Sequence, residues 1–456
     1  MTFPESIFKA YDIRGLVEGQ LSEEIAYRIG RAFVLFLRSQ NIPLEGKSLV
    51  VGRDMRPSGD LFTPAVIRGI EDEGVDVVEI GWVSTPLFNF ACAHYPEHAG
   101  GIMVTASHNP AEYNGFKLTM GNGLPVGGKN GMDFIRETVR SGNFVPAEKQ
   151  GSLIQMNVLA DYEARLFELV DPSTLKPFKI VIDAGNGMGQ VTFPDWLKKL
   201  PVQVEYLYLD PDGTFPNHEA NPLKAETLAA LQEKVISTGA DFGFALDGDC
   251  DRIGLVDERG ALVDPSAVGA LFGLEVLRSH PGAHLMYDLR SSQIVPEVWV
   301  AAGGTSEMCQ VGHANIKKAM REKNAVFASE LSLHLYYSDL YYLESSDLCL
   351  LYTLQMLSRE NKKLSELTAA FKKYFHSGEI NFEIEDKTAA LQRIEEKYAP
   401  EAREIIRIDG LMMKFDWGWF GVRASNTEPV LRLNLEALTP EIMEDKIIEL
   451  KKIILL

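Results

Sequence analysis

Ser107 stands in the run Val104-Thr105-Ala106-Ser107-His108-Asn109-Pro110, and three carboxylates alternate in Asp247-Gly248-Asp249-Cys250-Asp251-Arg252. A serine hydroxyl is a weak nucleophile at neutral pH and needs a base, a metal or a strained, exposed position. The Asn109-Pro110 pair favours a tight turn just beyond it. Carboxylates at i, i+2 and i+4 on a turning loop bring oxygens into one small volume. Such oxygens suit Mg²⁺, which leaves positions open for water and phosphate oxygens. An EF-hand loop needs Gly at its sixth position and Glu at its twelfth. Counted from Asp247 these are Arg252 and Glu258, so only half of that pattern is met. Arg252 instead sets a cation beside the carboxylates, useful to a phosphoryl group in transit. The two runs together fit metal-assisted phosphoryl transfer through a covalent phosphoserine.

Two further runs extend this chemistry. Arg423-Ala424-Ser425-Asn426-Thr427-Glu428-Pro429 gathers a guanidinium, hydroxyls, an amide and loop N–H groups, donors that hold a non-reacting phosphate. Tyr11-Asp12-Ile13-Arg14-Gly15 supplies Arg14 near the start, and Asn114-Gly115-Phe116-Lys117 supplies Lys117. Both are candidates for charge stabilisation, and a desolvated Lys117 is also a candidate acid or base. In Ser329-Glu330-Leu331-Ser332-Leu333-His334, Glu330 and Ser332 are suited to sugar hydroxyls, with His334 close by. His313 precedes a helical stretch; a lone histidine there is more often structural than catalytic. Which of Lys117, His313 and His334 moves a proton stays open.

The elements that position these loops repeat three times. Leu49-Val50-Val51-Gly52-Arg53-Asp54, Ile180-Val181-Ile182-Asp183 and His284-Leu285-Met286-Tyr287-Asp288 each read as a short apolar strand running into a small-residue loop. Continuous apolar runs suit strands buried on both faces of a parallel sheet, and helical stretches such as Pro64–Glu73 imply βαβ units. Further along each repeat a second strand leads into the serine loop, the carboxylate loop or the Ser329–His334 loop. Ligands of α/β folds gather at the carboxyl ends of strands, so a central cleft is expected. After residue 370 short strands alternate with helices such as Asp386–Lys397, which predicts a smaller α+β domain. The expected fold is α/β in four domains, 1–150, 151–257, 258–373 and 374–456, the first three related.

Composition narrows the function classes. The net charge of −19 argues against a nucleic-acid or anionic-membrane surface. No uninterrupted apolar run of about 18 residues exists, and the amino terminus lacks a basic stretch followed by an apolar one. Cys92, Cys250, Cys309 and Cys349 are scattered without paired spacing, so neither a zinc site nor a disulfide framework is expected and a cytoplasmic location is.

With these residues in place, the chain resembles the α-D-phosphohexomutase superfamily, in its phosphomannomutase/phosphoglucomutase branch. The resemblance covers nearly the whole chain and all four loops in order. It implies that Ser107 is the phosphoserine and joins Asp247, Asp249 and Asp251 on Mg²⁺. It implies reacting-end roles for Lys117, Arg14, His108, Arg252 and His313. Tyr11, Arg290, Glu330, Ser332, His334, Arg423, Ser425, Asn426, Thr427 and Arg432 would bind substrate. The implied reaction interconverts hexose 1- and 6-phosphates of mannose or glucose through a hexose 1,6-bisphosphate, in a monomer or homodimer with no nucleic acid or membrane. Alternatives are a phosphoglucosamine mutase, disfavoured by the Phe8-Lys9-Ala10-Tyr11-Asp12-Ile13-Arg14-Gly15 opening, a phosphatase, and a sugar-phosphate-binding protein with little turnover. The family usually shows Gly-Glu-Met-Ser-Gly-His in the sugar loop. Here Ser329 and Leu333 replace both glycines, and Cys250 stands where Gly is common. Gly often supplies backbone conformations that a leucine resists, so a narrowed pocket or altered loop path is expected at Leu333.

Overall fold

The computed structural model describes residues 3–424 and 430–455. The chain divides into two compact units, Met1–Val263 with Ser332–Ser365, and Asp264–Leu331 with Glu366–Leu456.

The threefold repeat is present in the sheets. Ser48–Arg53 lies between the parallel strands Asp76–Trp82 and His98–Val104. Phe178–Asp183 lies between Val202–Leu207 and Phe242–Leu246. His284–Asp288 lies between Thr305–Cys309 and Phe327–Ser329. A central strand flanked on both sides by parallel neighbours has no polar face, which is why these segments read as unbroken apolar runs. In the first two repeats an antiparallel strand follows, Tyr113–Met120 on His98–Val104 and Ile253–Asp257 on Phe242–Leu246. The turns into those strands are the serine loop and the carboxylate loop.

An aspartate stands at the end of each central strand or, as Asp54, just beyond it, and shapes the turn that follows. Oδ1 of Asp54, Asp183 and Asp288 accepts from the backbone N–H two residues on, at Arg56 (2.9 Å), Gly185 (2.9 Å) and Arg290 (2.7 Å). This is a local Asx turn, a side-chain bond competing with continued extended pairing.

The first repeat is covered by the helices Glu23–Ser39 and Gly59–Asp72. Ser22 caps the former, its Oγ accepting from Ile25 N at 3.2 Å, and Glu23 and Glu24 follow in the first turn. The helices cross closely because Gly30 and Gly69 meet there. A Cβ on Gly30 would lie 2.4 Å from Val66 O, and one on Gly69 2.2 Å from Tyr27 O. Phe33, Leu37, Phe62, Val66 and Ile70 fill the space between helices and sheet, each contributing roughly 1.5–3 kcal/mol for full burial.

The C-terminal part of the second unit is an antiparallel sheet in the order Phe375–Glu383, Val430–Ala437, Gly418–Ala424, Leu411–Phe415, Glu404–Ile406. The helices Lys387–Tyr398 and Pro440–Ile454 bury Ile394, Leu450 and Ile454 with Phe420, Leu431, Leu433 and Leu435 in one core. Among the described residues no helix is long and apolar enough to cross a membrane.

Candidate active site

In the first unit, the serine and carboxylate loops meet. Ser107 is buried and adopts φ +52°, a left-handed conformation costing a non-glycine residue roughly 1–2 kcal/mol. Its Oγ donates to Asp247 Oδ2 at 2.9 Å and lies 3.2 Å from His108 Nδ1. Contact of the loops requires a residue without a side chain at Gly248, because a Cβ there would stand 2.7 Å from Ser107 O.

Asp247, Asp249 and Asp251 are all buried, and one oxygen from each lies within 4.8 Å of the others. Burial and then the neighbouring carboxylates Asp251 and Asp249 push the Asp247 carboxyl well above its ordinary range. Lys117, on the strand Tyr113–Met120, donates to Asp249 Oδ2 and Asp251 Oδ2, both at 2.6 Å. Asp249 Oδ1 is buried without a hydrogen-bond donor. Three hard oxygen ligands in one buried cluster, with Asp249 Oδ1 unpartnered, fit a divalent cation held by Asp247, Asp249 and Asp251.

Desolvation does not make Lys117 a poised base. Burial disfavours its charge, but Asp249 and Asp251 outweigh that and its pKa is raised. Paired with Asp249 and Asp251, Lys117 carries its charge. His108 behaves oppositely: burial, then Arg252 and Arg14, hold its pKa well below the ordinary histidine range, so the ring is neutral. Arg14 donates to Asp12 Oδ2 (2.7 Å) and Asn109 Oδ1 (2.6 Å), which ties it to the serine loop. Tyr11 stands half-buried in the bend before the strand Ile13–Leu16, which carries Arg14. His334 Nε2 lies 3.2 Å from Asp251 Oδ1, and its Nδ1 is 2.8 Å from Ser332 Oγ. Arg252 Nε is 4.0 Å from Asp247 Oδ2.

Two departures from glycine take glycine-like backbones. Leu333 has φ +68° and Cys250 φ +62°, so Cys250 is as demanding a substitution as Leu333. Ser346 Oγ donates to Cys250 O at 2.7 Å, and Ile253 N donates to Leu333 O at 3.4 Å. Ser329 ends the strand Phe327–Ser329 and has no positive φ; that position needs no glycine.

In the second unit, Arg290 Nη2 donates to Asp288 Oδ2 at 2.6 Å and Glu330 Oε1 at 3.3 Å. Burial disfavours the Arg290 charge, yet Asp288 and Glu330 raise its pKa. Glu330 Oε1 also accepts from Gly312 N at 3.2 Å, beside His313, which opens the helix His313–Lys323. Arg423 and Arg432 face each other across paired strands, normally a repulsive arrangement. Glu379 bridges them, accepting from Arg423 Nη2 at 3.0 Å with Arg432 Nη1 at 3.3 Å. Ser425, Asn426 and Thr427 lie outside the described residues.

Several site residues escape a reading of motifs alone. Thr85 Oγ1 donates to Asp249 Oδ2 at 2.6 Å, and Thr105 Oγ1 to Asp54 Oδ2 at 2.6 Å. Arg56 is completely buried beneath the serine loop. Its signal was available: Asp54-Met55-Arg56 and Asp288-Leu289-Arg290 are the same Asp-x-Arg at the same place in two repeats.

The chain matches four family profiles described as phosphoglucomutase/phosphomannomutase. These are alpha/beta/alpha domain I over residues 5–145, domain II over 160–260, domain III over 264–374 and the C-terminal domain over 379–446. It is 39% identical over 442 residues to a phosphomannomutase of Salmonella typhimurium, covering 94% of each chain. It is 35% identical over 454 residues to a phosphomannomutase of Methanocaldococcus jannaschii, covering 98% of this chain and 97% of that one. The crystal structure of a phosphoglucomutase/phosphomannomutase family protein from Burkholderia thailandensis superposes with a TM-score of 0.90 at 31% identity, over 98% of this chain and 97% of that one.

Proposed function

Because the chain belongs to the phosphoglucomutase/phosphomannomutase family, it is a hexose-phosphate mutase, and we propose that it works through a phosphoserine at Ser107. The proposed substrates are mannose and glucose 1- and 6-phosphates, with a hexose 1,6-bisphosphate as intermediate and activator, in the cytoplasm. The observation that carries this reading is the 2.9 Å approach of Ser107 Oγ to Asp247 inside a buried triad of carboxylates.

Mg²⁺ held by Asp247, Asp249 and Asp251 would neutralise the charge of the transferring phosphoryl group when bound. The protein's own part is positioning and electrostatics. A sugar hydroxyl attacks the phosphorus of phosphoserine; a bond forms to the sugar oxygen as the bond to Ser107 Oγ breaks. The proton that the sugar hydroxyl gives up is the one Ser107 Oγ takes, and His108, whose Nδ1 lies 3.2 Å from Oγ, is the group placed to pass it, while Asp247 stays a carboxylate beside Oγ at 2.9 Å. Lys117 and Arg14 supply positive charge beside the reacting phosphoryl group. Arg423 and Arg432, bridged by Glu379, are the proposed holders of the non-reacting phosphate, and Arg290 with Glu330 of the sugar. The bisphosphate turns end for end, and its other phosphoryl returns to Ser107.

The test is ³¹P NMR of the purified protein with Mg²⁺ and a trace of hexose 1,6-bisphosphate. Mannose 1-phosphate, glucose 1-phosphate and glucosamine 1-phosphate are supplied separately. A 6-phosphate resonance from mannose or glucose is the expected result. Inorganic phosphate alone would mean a phosphatase, and unchanged spectra in every tube would defeat the mutase reading.

A further inference from the structure

Arg56 has no place in the transfer just described, yet its side chain is fully buried against the nucleophile's loop. Its Nη1 donates to Pro110 O and Tyr113 O, both at 2.8 Å. Its Nη2 donates to Ser107 O at 2.9 Å and Asn109 O at 2.5 Å. One planar guanidinium thus collects four backbone carbonyls from a seven-residue stretch, Ser107 to Tyr113. Carbonyls converging in this way repel one another, and withdrawing the cation would leave that repulsion uncompensated. Behind it, Nε lies 3.3 Å from Asp54 Oδ2. The same Asp54 oxygen accepts from Thr105 Oγ1 at 2.6 Å, and Thr105 Oγ1 accepts from Ser107 N at 2.9 Å. Ser107 is therefore gripped at its carbonyl by Arg56 and at its N–H by the Thr105–Asp54 relay.

The other face of Arg56 is closed by the second repeat. The ring of Phe215 lies 5.1 Å from the guanidinium carbon, within cation–π range. A Cβ at Gly213 would meet Arg56 Cα at 2.7 Å.

We propose that Arg56, with Asp54 and Thr105, is the positioning device that forces Ser107 into its left-handed conformation and aims Oγ at Asp247. Without this grip, Ser107 at φ +52° is free to relax toward extended backbone and release its conformational strain. Asp54 neutralises the guanidinium, so Arg56 acts on geometry and not on the charge of the incoming phosphate. A displacement of about 1 Å at a reacting atom lowers rates about 10²-fold. The expected signature is a fall in kcat with KM largely unchanged. The inference rests on Ser107 being the phosphoryl acceptor.

Lysine is the informative replacement, because it keeps the charge but has three hydrogens on one atom and cannot span four carbonyls. Arg56→Lys is expected to lose about 10²-fold in kcat, with KM for hexose 1-phosphate within about threefold of wild type. Phosphorylation of Ser107 by hexose 1,6-bisphosphate, followed by intact-protein mass spectrometry, is expected to slow by the same factor. Thr105→Val is expected to lose at least about tenfold in both readouts, and Thr105→Ser to restore them by keeping the hydroxyl. A folded Arg56→Lys variant with wild-type kcat and phosphorylation rate overturns the proposal. So does a loss in KM as large as that in kcat. If Arg56→Lys does not fold, wild-type rates in Thr105→Val overturn it equally. Failure of the wild-type protein to become phosphorylated would instead defeat the assignment of Ser107 itself.

Discussion

Lys117 and a bound divalent cation would draw on the same carboxylates, Asp249 and Asp251, and this has a measurable consequence. Nζ lies 2.6 Å from both Asp249 Oδ2 and Asp251 Oδ2. Two unit charges about 4 Å apart at an effective dielectric near 20 interact by about 4 kcal/mol, and a divalent ion doubles the repulsion before relaxation reduces it. Stripping the partner from a buried carboxylate pair costs the fold about 3–5 kcal/mol. Lys117→Met should therefore act in two directions. The metal-free variant melts below wild type, while its Mg²⁺ affinity rises by at least about tenfold, or ~1.4 kcal/mol. Turnover nevertheless falls, because the positive charge at the reacting phosphoryl is gone. Isothermal titration calorimetry of dephosphorylated wild type, Lys117→Met and Lys117→Arg measures the affinity, and melting with and without Mg²⁺ measures the stability. The melting gap between Lys117→Met and wild type should narrow as Mg²⁺ is added, and Lys117→Arg should stay near wild type. A folded Lys117→Met that binds Mg²⁺ no more tightly than wild type would refute the shared-charge reasoning.

Ser107→Ala is expected to abolish turnover and incorporation of phosphate from the bisphosphate, while hexose 1-phosphate still binds; turnover near the wild-type level would remove the covalent route. Leu333→Gly trades about 1–2 kcal/mol of left-handed strain against about 2–5 kcal/mol for a buried leucine, so thermal melting should show net destabilisation. Cys250→Gly, which loses only a small thiol, should be close to neutral; equal stabilities for the two variants would contradict this balance. Leu333→Gly should also shift the ratio of rates on mannose and glucose 1-phosphates, and an unchanged ratio would make the replacement neutral for specificity. The His218 ring sits 3.1 Å from Asp183, whose hydrogen bond and charge outweigh burial and raise its pKa. The charged ring then stabilises the folded state fully below about pH 6.5, and the gain is lost as pH rises through the raised value. His218→Gln should lower the melting temperature at pH 6 and match wild type at pH 9; a gap independent of pH would exclude the ion pair.

The three central strands were legible because burial on both faces leaves an uninterrupted apolar signature, and each led to an aspartate that could be read directly. The serine and carboxylate loops were legible because their chemistry is concentrated in consecutive residues. Arg56 was not, because the Asp-x-Arg it shares with Asp288-Leu289-Arg290 marks a position in the repeat and says nothing of the four carbonyls it serves. Its role exists only once residues 54, 56 and 105–113 are brought together by strand pairing. Lys117 was identified as a candidate for charge stabilisation, but its carboxylate partners Asp249 and Asp251 were not, because they come from a distant loop. At Leu333 and Cys250 the sequence showed a conflict with glycine; the structure shows that both positions keep the glycine backbone. Ser329 showed the same conflict and has none, because it lies in a regular strand.

Gly248 lets the backbones of the serine and carboxylate loops touch, and this contact has a kinetic meaning. Neither loop can be re-aimed without moving the other, so the hydroxyl and the carboxylates work as one rigid die. Both half-reactions then use a single set of atoms at a single place, and the sugar is the moving part. A side chain added at Gly248 would wedge the die open and damage both directions of transfer together, whichever end of the sugar is presented.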